Sequence, residues 1–416
     1  ILRGLLPGEY QVRVALREHR SWSRAVTVEG AKAAAHEHIL LAPSAWRPQT
    51  VLAEPFEQLL PLSGGRFAVL LSGPTLGEAM ALDVREALPR PLLPVLSPWR
   101  QARLIDQFAV AGAPALLARV EIRGDEHLIW IDVRPEETVI DDLSRFLLHR
   151  PVWAMAQPNR KRRMVLFDDG TLVALDDPAA PGGMVASGVR GAGLDGRWVY
   201  LLGRSGMLER LDVDGRDCEP LLQDEHLARS LFGTRGFFKI LAPDDAFVLF
   251  WGEQGRLLGN RLPYRFARGG IAGLVPDPDR PRLLLWRRDA VGVLEYGDAE
   301  PDEELFERGP RLRWLAWPLT RVEQAFWAHD GSHALLRDGD ELRLLELDAS
   351  APAPPVDIVP VKHKTGALYA ESEGAVYYLG AADGRLMRLA ITPARELLTL
   401  PRPDRATTTP PVGVRR

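Results

Sequence analysis

The chain has 416 residues, 46% of them hydrophobic, and a formal net charge of −4 from 52 basic and 56 acidic side chains mixed along its length. A chain of this size buries about three quarters of its unfolded surface without needing a disulfide or a metal, and its charge balance excludes a general electrostatic footprint for nucleic acid. The single cysteine, Cys218, excludes an internal disulfide framework and a multi-cysteine zinc site and suits a reducing cytoplasm. No apolar run approaches the roughly 18 residues that span a bilayer.

Residues 1–43 have their own pattern. Leu6-Pro7-Gly8-Glu9-Tyr10-Gln11-Val12-Arg13-Val14 alternates as a strand does, Val26 to Val28 continues the pattern, and His36 to Leu41 supplies a third candidate. Three strands bury too little to fold alone, so the segment is expected to be the end of a larger sandwich or to pack against the rest of the chain. The chain begins at Ile1, inside an apolar strand pattern, which points to an upstream portion where a signal peptide or anchor would lie. His36 and His38 fall on one side of the third candidate strand, as two metal ligands would. The sequence offers no third ligand, and an ordinary surface strand is the favoured reading.

From residue 44 to 400 a unit recurs about every 44 residues: an apolar run, a turn, a second alternating run, then often Asp. Met164 to Asp176 is the clearest copy, with Asp169-Gly170 supplying a tight hairpin turn. The turns fall near Gly73, Gly124, Gly170, Gly206, Gly255, Asp289, Gly339 and Gly384. The second run ends in Leu82-Asp83, Ile131-Asp132, Leu175-Asp176, Leu211-Asp212 and Leu347-Asp348. Short strands at this period predict an all-β propeller of seven or eight blades, eight by the turn count and seven if one hairpin is an insertion. The marked runs are expected to be the inner strands of each blade. Weaker outer strands are expected at Val51 to Leu62, Leu221 to Leu222, Val356 to Val361 and Leu397 to Leu400.

Tryptophans including Trp130, Trp198, Trp251, Trp286 and Trp327 are spread through the repeats, where large flat side chains would fill the space between blades. Helical spacing with an acidic start predicts short helices over Asp141 to His149 and Asp224 to Phe232. Gly191-Ala192-Gly193 and Gly269-Gly270 lack the Lys-Ser/Thr and the strand-to-helix context of a phosphate loop and read as turns leading into blades. Pro401 to Arg416, rich in Pro and Thr, reads as a disordered tail.

Candidate chemistry is sparse. His329 and His333 flank Asp330-Gly331 and would face each other across a hairpin, as ligands or as hydrogen-bonding turn residues. Cys218 has Asp217 and Glu219 beside it, which would raise its pKa rather than activate it. Carboxylate pairs at Asp141-Asp142, Asp168-Asp169, Asp176-Asp177 and Asp244-Asp245 sit where turn chemistry favours Asp. The basic run Arg160-Lys161-Arg162-Arg163 is the candidate partner-binding site, able to meet an acidic surface or phosphate, against the plainer reading of a solvated loop.

Copies such as DDGTLVALDD and AADGRLMRLAI resemble the blade repeat of quinoprotein-like and WD40-like propellers. The quinone-dependent dehydrogenases of that group hold their cofactor with an adjacent cysteine pair. Cys218 cannot form such a pair, so the resemblance implies the fold, and no cofactor is expected. The N-terminal Pro-Gly-x-Tyr turn resembles the edge of a PEGA or immunoglobulin-like sandwich. In general character the chain also resembles the propeller component of bacterial systems that pair a MoxR-type AAA+ ATPase with a von Willebrand A protein, which implies such a protein partner. The expected function is a non-enzymatic interaction scaffold. The rivals are a hydrolase or lyase with polar residues from several blades around the central channel, and a small-ligand binder with tryptophans at the channel mouth.

Overall fold

The computed structural model describes residues 6–29, 39–86, 89–157, 162–175, 184–195, 198–212, 218–222, 236–244, 247–259, 267–296, 311–315, 319–347 and 354–391. Among these residues the chain consists of strands and short 3-10 turns, with no α-helix. Each repeat folds as an antiparallel meander of four strands. Units 1 to 8 span 58–91, 103–142, 151–186, 189–222, 238–268, 273–315, 322–360 and 368–390. The last unit contributes only three strands of its own. Its fourth, Gln49–Pro55, comes from before unit 1 and pairs antiparallel with Arg385–Ala390, so ladder hydrogen bonds join the two ends of the repeat region. The expected outer strand Val51 to Leu62 therefore splits at Phe56-Glu57 into this closing strand and the first strand of unit 1, Gln58–Pro61. Leu397 to Leu400 lies outside the described residues.

All eight turns read in the sequence join the second and third strands of a unit. The well-marked pair is thus the middle of each sheet, flanked by one strand at the axis and one at the rim. Middle strands are hydrogen-bonded on both edges and covered on both faces, so they read as continuous apolar runs. Phe67–Leu71 and Ala375–Leu379 are buried at every residue. First strands face the central axis and fourth strands face solvent, so Arg103–Ala111 and Val356–Pro360 keep exposed residues.

First strands lie side by side around that axis. Those of units 2 and 3 pair in parallel at Val110 and Ala154, and those of units 4 and 5 at Gly191 with Phe238 and Ala192 with Lys239. Gly191-Ala192-Gly193 is accordingly the middle of strand Val189–Asp195, a correction to the turn read from sequence. A Cβ on Gly193 would lie 2.2 Å from the Ile240 carbonyl oxygen, so glycine is what lets these two strands touch. Gly269-Gly270 does lie in the connection into unit 6.

The core is divided among the gaps between units. Eight apolar clusters are formed by the described residues, each bridging consecutive units. Trp130 packs with Phe167 between units 2 and 3, and Trp286 with Trp327 between units 6 and 7. Trp198 and Trp251 flank the gaps on either side of unit 5. A last cluster containing Leu59, Leu70, Leu368 and Tyr377 joins unit 8 back to unit 1 and closes the ring.

One of the two expected helices is corrected. Asp141 and Asp142 end the strand Thr138–Asp142, because Val139 and Ile140 pair with unit 2's third strand, and only Ser144–Phe146 makes a 3-10 turn. The second expected helix, Asp224 to Phe232, lies outside the described residues. At the N-terminus, Gly8–Val14 and Trp22–Val28 form a two-stranded hairpin. Of the third candidate strand, His36 and His38 lie outside the described residues and 39–41 are irregular. The hairpin docks on unit 7, where Glu346 accepts from the Trp22 indole at 3.3 Å and pairs with Arg24.

Candidate functional site

Strand direction alternates within each unit, so the hairpins between second and third strands gather at one end of the ring, together with the linkers into each first strand. This upper end carries a cavity of about 550 Å³. Its walls come from Val152 and Trp153 near the start of unit 3, Phe237 to Lys239 at the start of unit 5, Trp251 on the next strand, and the turns around Gly255 and Gly270. It therefore opens at the mouth of the central channel.

Lys239 is the cation of this wall. Alternation along Phe238–Asp244 sends Phe238 and Ile240 into the cluster between units 4 and 5, so Lys239 faces the other way. Trp251 is its cross-strand partner. The ammonium lies 4.8 Å from the Trp153 ring centre and 5.1 Å from that of Trp251, and the Trp251 indole is anchored by donating to the Ile271 carbonyl at 3.2 Å. The side chain is surrounded by protein on most sides yet keeps open surface inside the channel. Loss of water around it holds its pKa below the ordinary lysine value. Water reaching it through the channel limits that effect, and two indole faces favour the charged form by about 0.5–2 kcal/mol each. Among the described residues no carboxylate forms an ion pair with Lys239, although Glu253 lines the same cavity.

A broader depression of about 760 Å³ lies at the same end over units 1 and 2. Val95 lines it, and Val95 and its neighbour Leu96 are 82% and 95% exposed in the linker between these units.

The lower end holds paired charges. The Asp that closes the third strand is buried where it is described, at Asp83, Asp132 and Asp212. Burial pushes the Asp83 carboxyl up, but hydrogen bonds from Arg66 and from the Arg85 backbone outweigh this and hold it below the usual range. Arg282, also buried, donates to Asp277 at 2.6 Å and to the Gly331 carbonyl, and its guanidinium lies 4.5 Å over Trp327. That set ties unit 6 to unit 7.

The residues singled out in the sequence are distributed over the ring. Arg160 and Lys161 lie outside the described residues, between the first two strands of unit 3 in chain order. Arg162 accepts from the Gln157 backbone through its carbonyl. Arg163 is committed within the fold: it pairs with Asp141, donates to the Leu175 carbonyl at 3.0 Å and lies 5.6 Å from the Trp130 ring centre. His329 and His333 do face each other across the hairpin of unit 7, edge to face at 5.5 Å, with Ser332 Oγ 2.8 Å from His333 Nδ1. Among the described residues no group of three or more His, Cys, Asp or Glu is placed to hold a metal ion. Cys218 is exposed, and its pKa is raised in the expected direction, but by partial burial first and the Glu209 charge second, and not by the adjacent Glu219. Asp169 serves its turn by accepting from Thr171. Asp141 departs from the turn reading by pairing with Arg163. Asp176-Asp177 lies outside the described residues. Lys239 was missed, since the only signal is one lysine inside the apolar run Phe237-Phe238-Lys239-Ile240-Leu241.

No known family and no curated protein matches the chain. Solved structures do. The C-terminal WD40 domain of Sif2 superposes with a TM-score of 0.52 at 9% identity, covering 84% of this chain and 99% of that one. The fold is a β-propeller. The propeller domain of Cps50 (Swd1) from Myceliophteria thermophila superposes with a TM-score of 0.44 at 11% identity over 83% of this chain and 98% of that one. At 9% identity the likeness to the Sif2 domain concerns the fold alone. No helix among the described residues of the propeller or its N-terminal hairpin is long and apolar enough to cross a membrane.

Proposed function

We propose that this propeller is a non-enzymatic scaffold of eight blades that presents the upper end of its ring to a protein partner. The observation that carries this reading is the pair Val95 and Leu96, left almost fully exposed beside a wide depression. Adjacent apolar side chains held out of a well-packed ring lose contact with water only when something covers them. The ring supports the role by being rigid: apolar clusters fill its gaps and the closing strand ties its ends, so loops at the upper end have a fixed platform.

The finer reading is a component of a bacterial multiprotein system in the cytoplasm, with an AAA+ ATPase or a von Willebrand A protein as partner. Within it, Arg160, Lys161 and Arg162 form a second contact, to an acidic surface. Tagged protein is recovered from native cells at low and moderate salt, and its companions are identified by mass spectrometry. A stoichiometric partner that is lost on Val95→Ser/Leu96→Ser supports the upper-end contact. Loss on Arg160→Gln/Lys161→Gln would place the contact at the basic run. Recovery of the propeller alone at both salt concentrations overturns the scaffold reading.

A further inference from the structure

The channel-mouth cavity is separate from the Val95–Leu96 surface and has the features of a small-molecule site. Its volume of about 550 Å³ falls within the range of about 300–1,000 Å³ typical of ligand pockets. The lining is mostly apolar and aromatic, from Val152, Trp153, Leu166, Phe238, Trp251 and Ile271, and one cation stands in it. Among the described residues Lys239 lacks an anionic counterpart and its Nζ has no hydrogen-bond acceptor, while its open surface faces the cavity.

We infer that this cavity binds an organic carboxylate carried on a flat apolar body, with the carboxylate on Lys239 and the body against the indoles of Trp153 and Trp251. An ammonium held among apolar walls with three donors and no acceptor gains most from an anion that brings acceptors with it. The indole faces supply flat area for stacking, and offset or edge-on aromatic contacts add to what burial alone contributes. Glu253 on the same wall selects against ligands bearing a second negative charge, so a monocarboxylate fits better than a dicarboxylate. The closeness of the indoles to the ammonium fixes the register: a carboxylate on Lys239 leaves the apolar body beside the rings, within reach of both.

The probe is 2-naphthoate, titrated into the full chain while tryptophan fluorescence and heat are recorded. 2-Naphthalenemethanol, which keeps the ring system and lacks the charge, is the control. Saturable quenching by naphthoate, with affinity at least tenfold above that of the alcohol, is expected. Lys239→Met should lower naphthoate affinity at least tenfold and leave the alcohol unchanged, while Lys239→Arg should retain most of the affinity. Far-ultraviolet circular dichroism and thermal melts of each variant separate lost binding from lost folding. A peptide ending in a free Phe carboxylate, compared with its amide, tests whether the anion is supplied by a chain terminus; binding of the peptide acid without naphthoate would overturn the small-molecule assignment. Equal binding of naphthoate and alcohol, or unchanged naphthoate binding in Lys239→Met, would overturn the role of Lys239.

Discussion

Among the cations of this ring that stand over tryptophan, Arg282 and Lys239 lie at opposite ends and differ in one respect. Arg282 at the lower end lies over Trp327 with Asp277 against it and the Gly331 carbonyl beyond. Lys239 at the upper end lies between Trp153 and Trp251 with no ion-paired carboxylate among the described residues. A desolvated charge costs several kcal/mol unless paired, so a buried ion that keeps its partner belongs to the structure. One that faces a cavity without a partner is free to meet a ligand. The contrast teaches that aromatic cation contacts alone do not separate structural from binding roles; the state of the counter-ion does.

Removing the counter-ion at the lower end should give the largest effect. Asp277→Ala takes the Asp277 carboxylate away from the buried Arg282 guanidinium and should cost about 3–5 kcal/mol. Urea unfolding would measure it, and the double variant Asp277→Ala/Arg282→Met should recover part of the loss. A cost below about 1 kcal/mol would break the comparison.

Next is the contact that sets the channel wall beside Lys239. Gly193→Ala forces a Cβ against the Ile240 carbonyl and should cost about 1–3 kcal/mol by overpacking. Gly269→Ala, which meets nothing within 4 Å, should stay within about 0.5 kcal/mol. Thermal melts of the two variants give the contrast directly.

Asp83 tests the paired state by pH. Its folded pKa is depressed below the unfolded value of about 3.9, so its contribution is complete above that pH and is lost as pH falls through the folded pKa. Asp83→Asn keeps an acceptor and loses the charge, and should cost about 1 kcal/mol at pH 7. Wild type and variant should converge in acid; parallel stability curves down to pH 2 would contradict the depressed pKa.

Lys239→Met is expected to change stability by no more than about 1 kcal/mol either way, because it orphans no carboxylate among the described residues and trades cation–π attraction for relief from desolvation. A loss as large as that of Asp277→Ala would make Lys239 structural.

The sequence read the repeat well because its signal is local. Turn residues such as Asp169-Gly170 and Gly384, and apolar runs such as Phe67–Leu71, carry it within ten residues. The same locality misled at Gly191-Ala192-Gly193: glycines mark turns when read alone, whereas here the demand for them comes from Ile240, distant in sequence and touching in space. Asp141 to His149 has helical spacing, but Val139 and Ile140 find strand partners in unit 2, and pairing overrides spacing. The run Arg160 to Arg163 looked like one patch of charge, yet Arg163 is drawn inward by Asp141, a partner no local pattern announces.

Strand periodicity and turn chemistry act between neighbours along the chain, so the sequence by itself determined the β-repeat, the place of its hairpins and the absence of a disulfide framework. Ring closure through Gln49–Pro55, the pairing of Arg282 with Asp277, and the exposure of Lys239 to a cavity without a counter-ion were decided only by tertiary structure. Each depends on segments that sequence separates and packing brings together, and a charge acquires its role from what stands within a few ångströms of it.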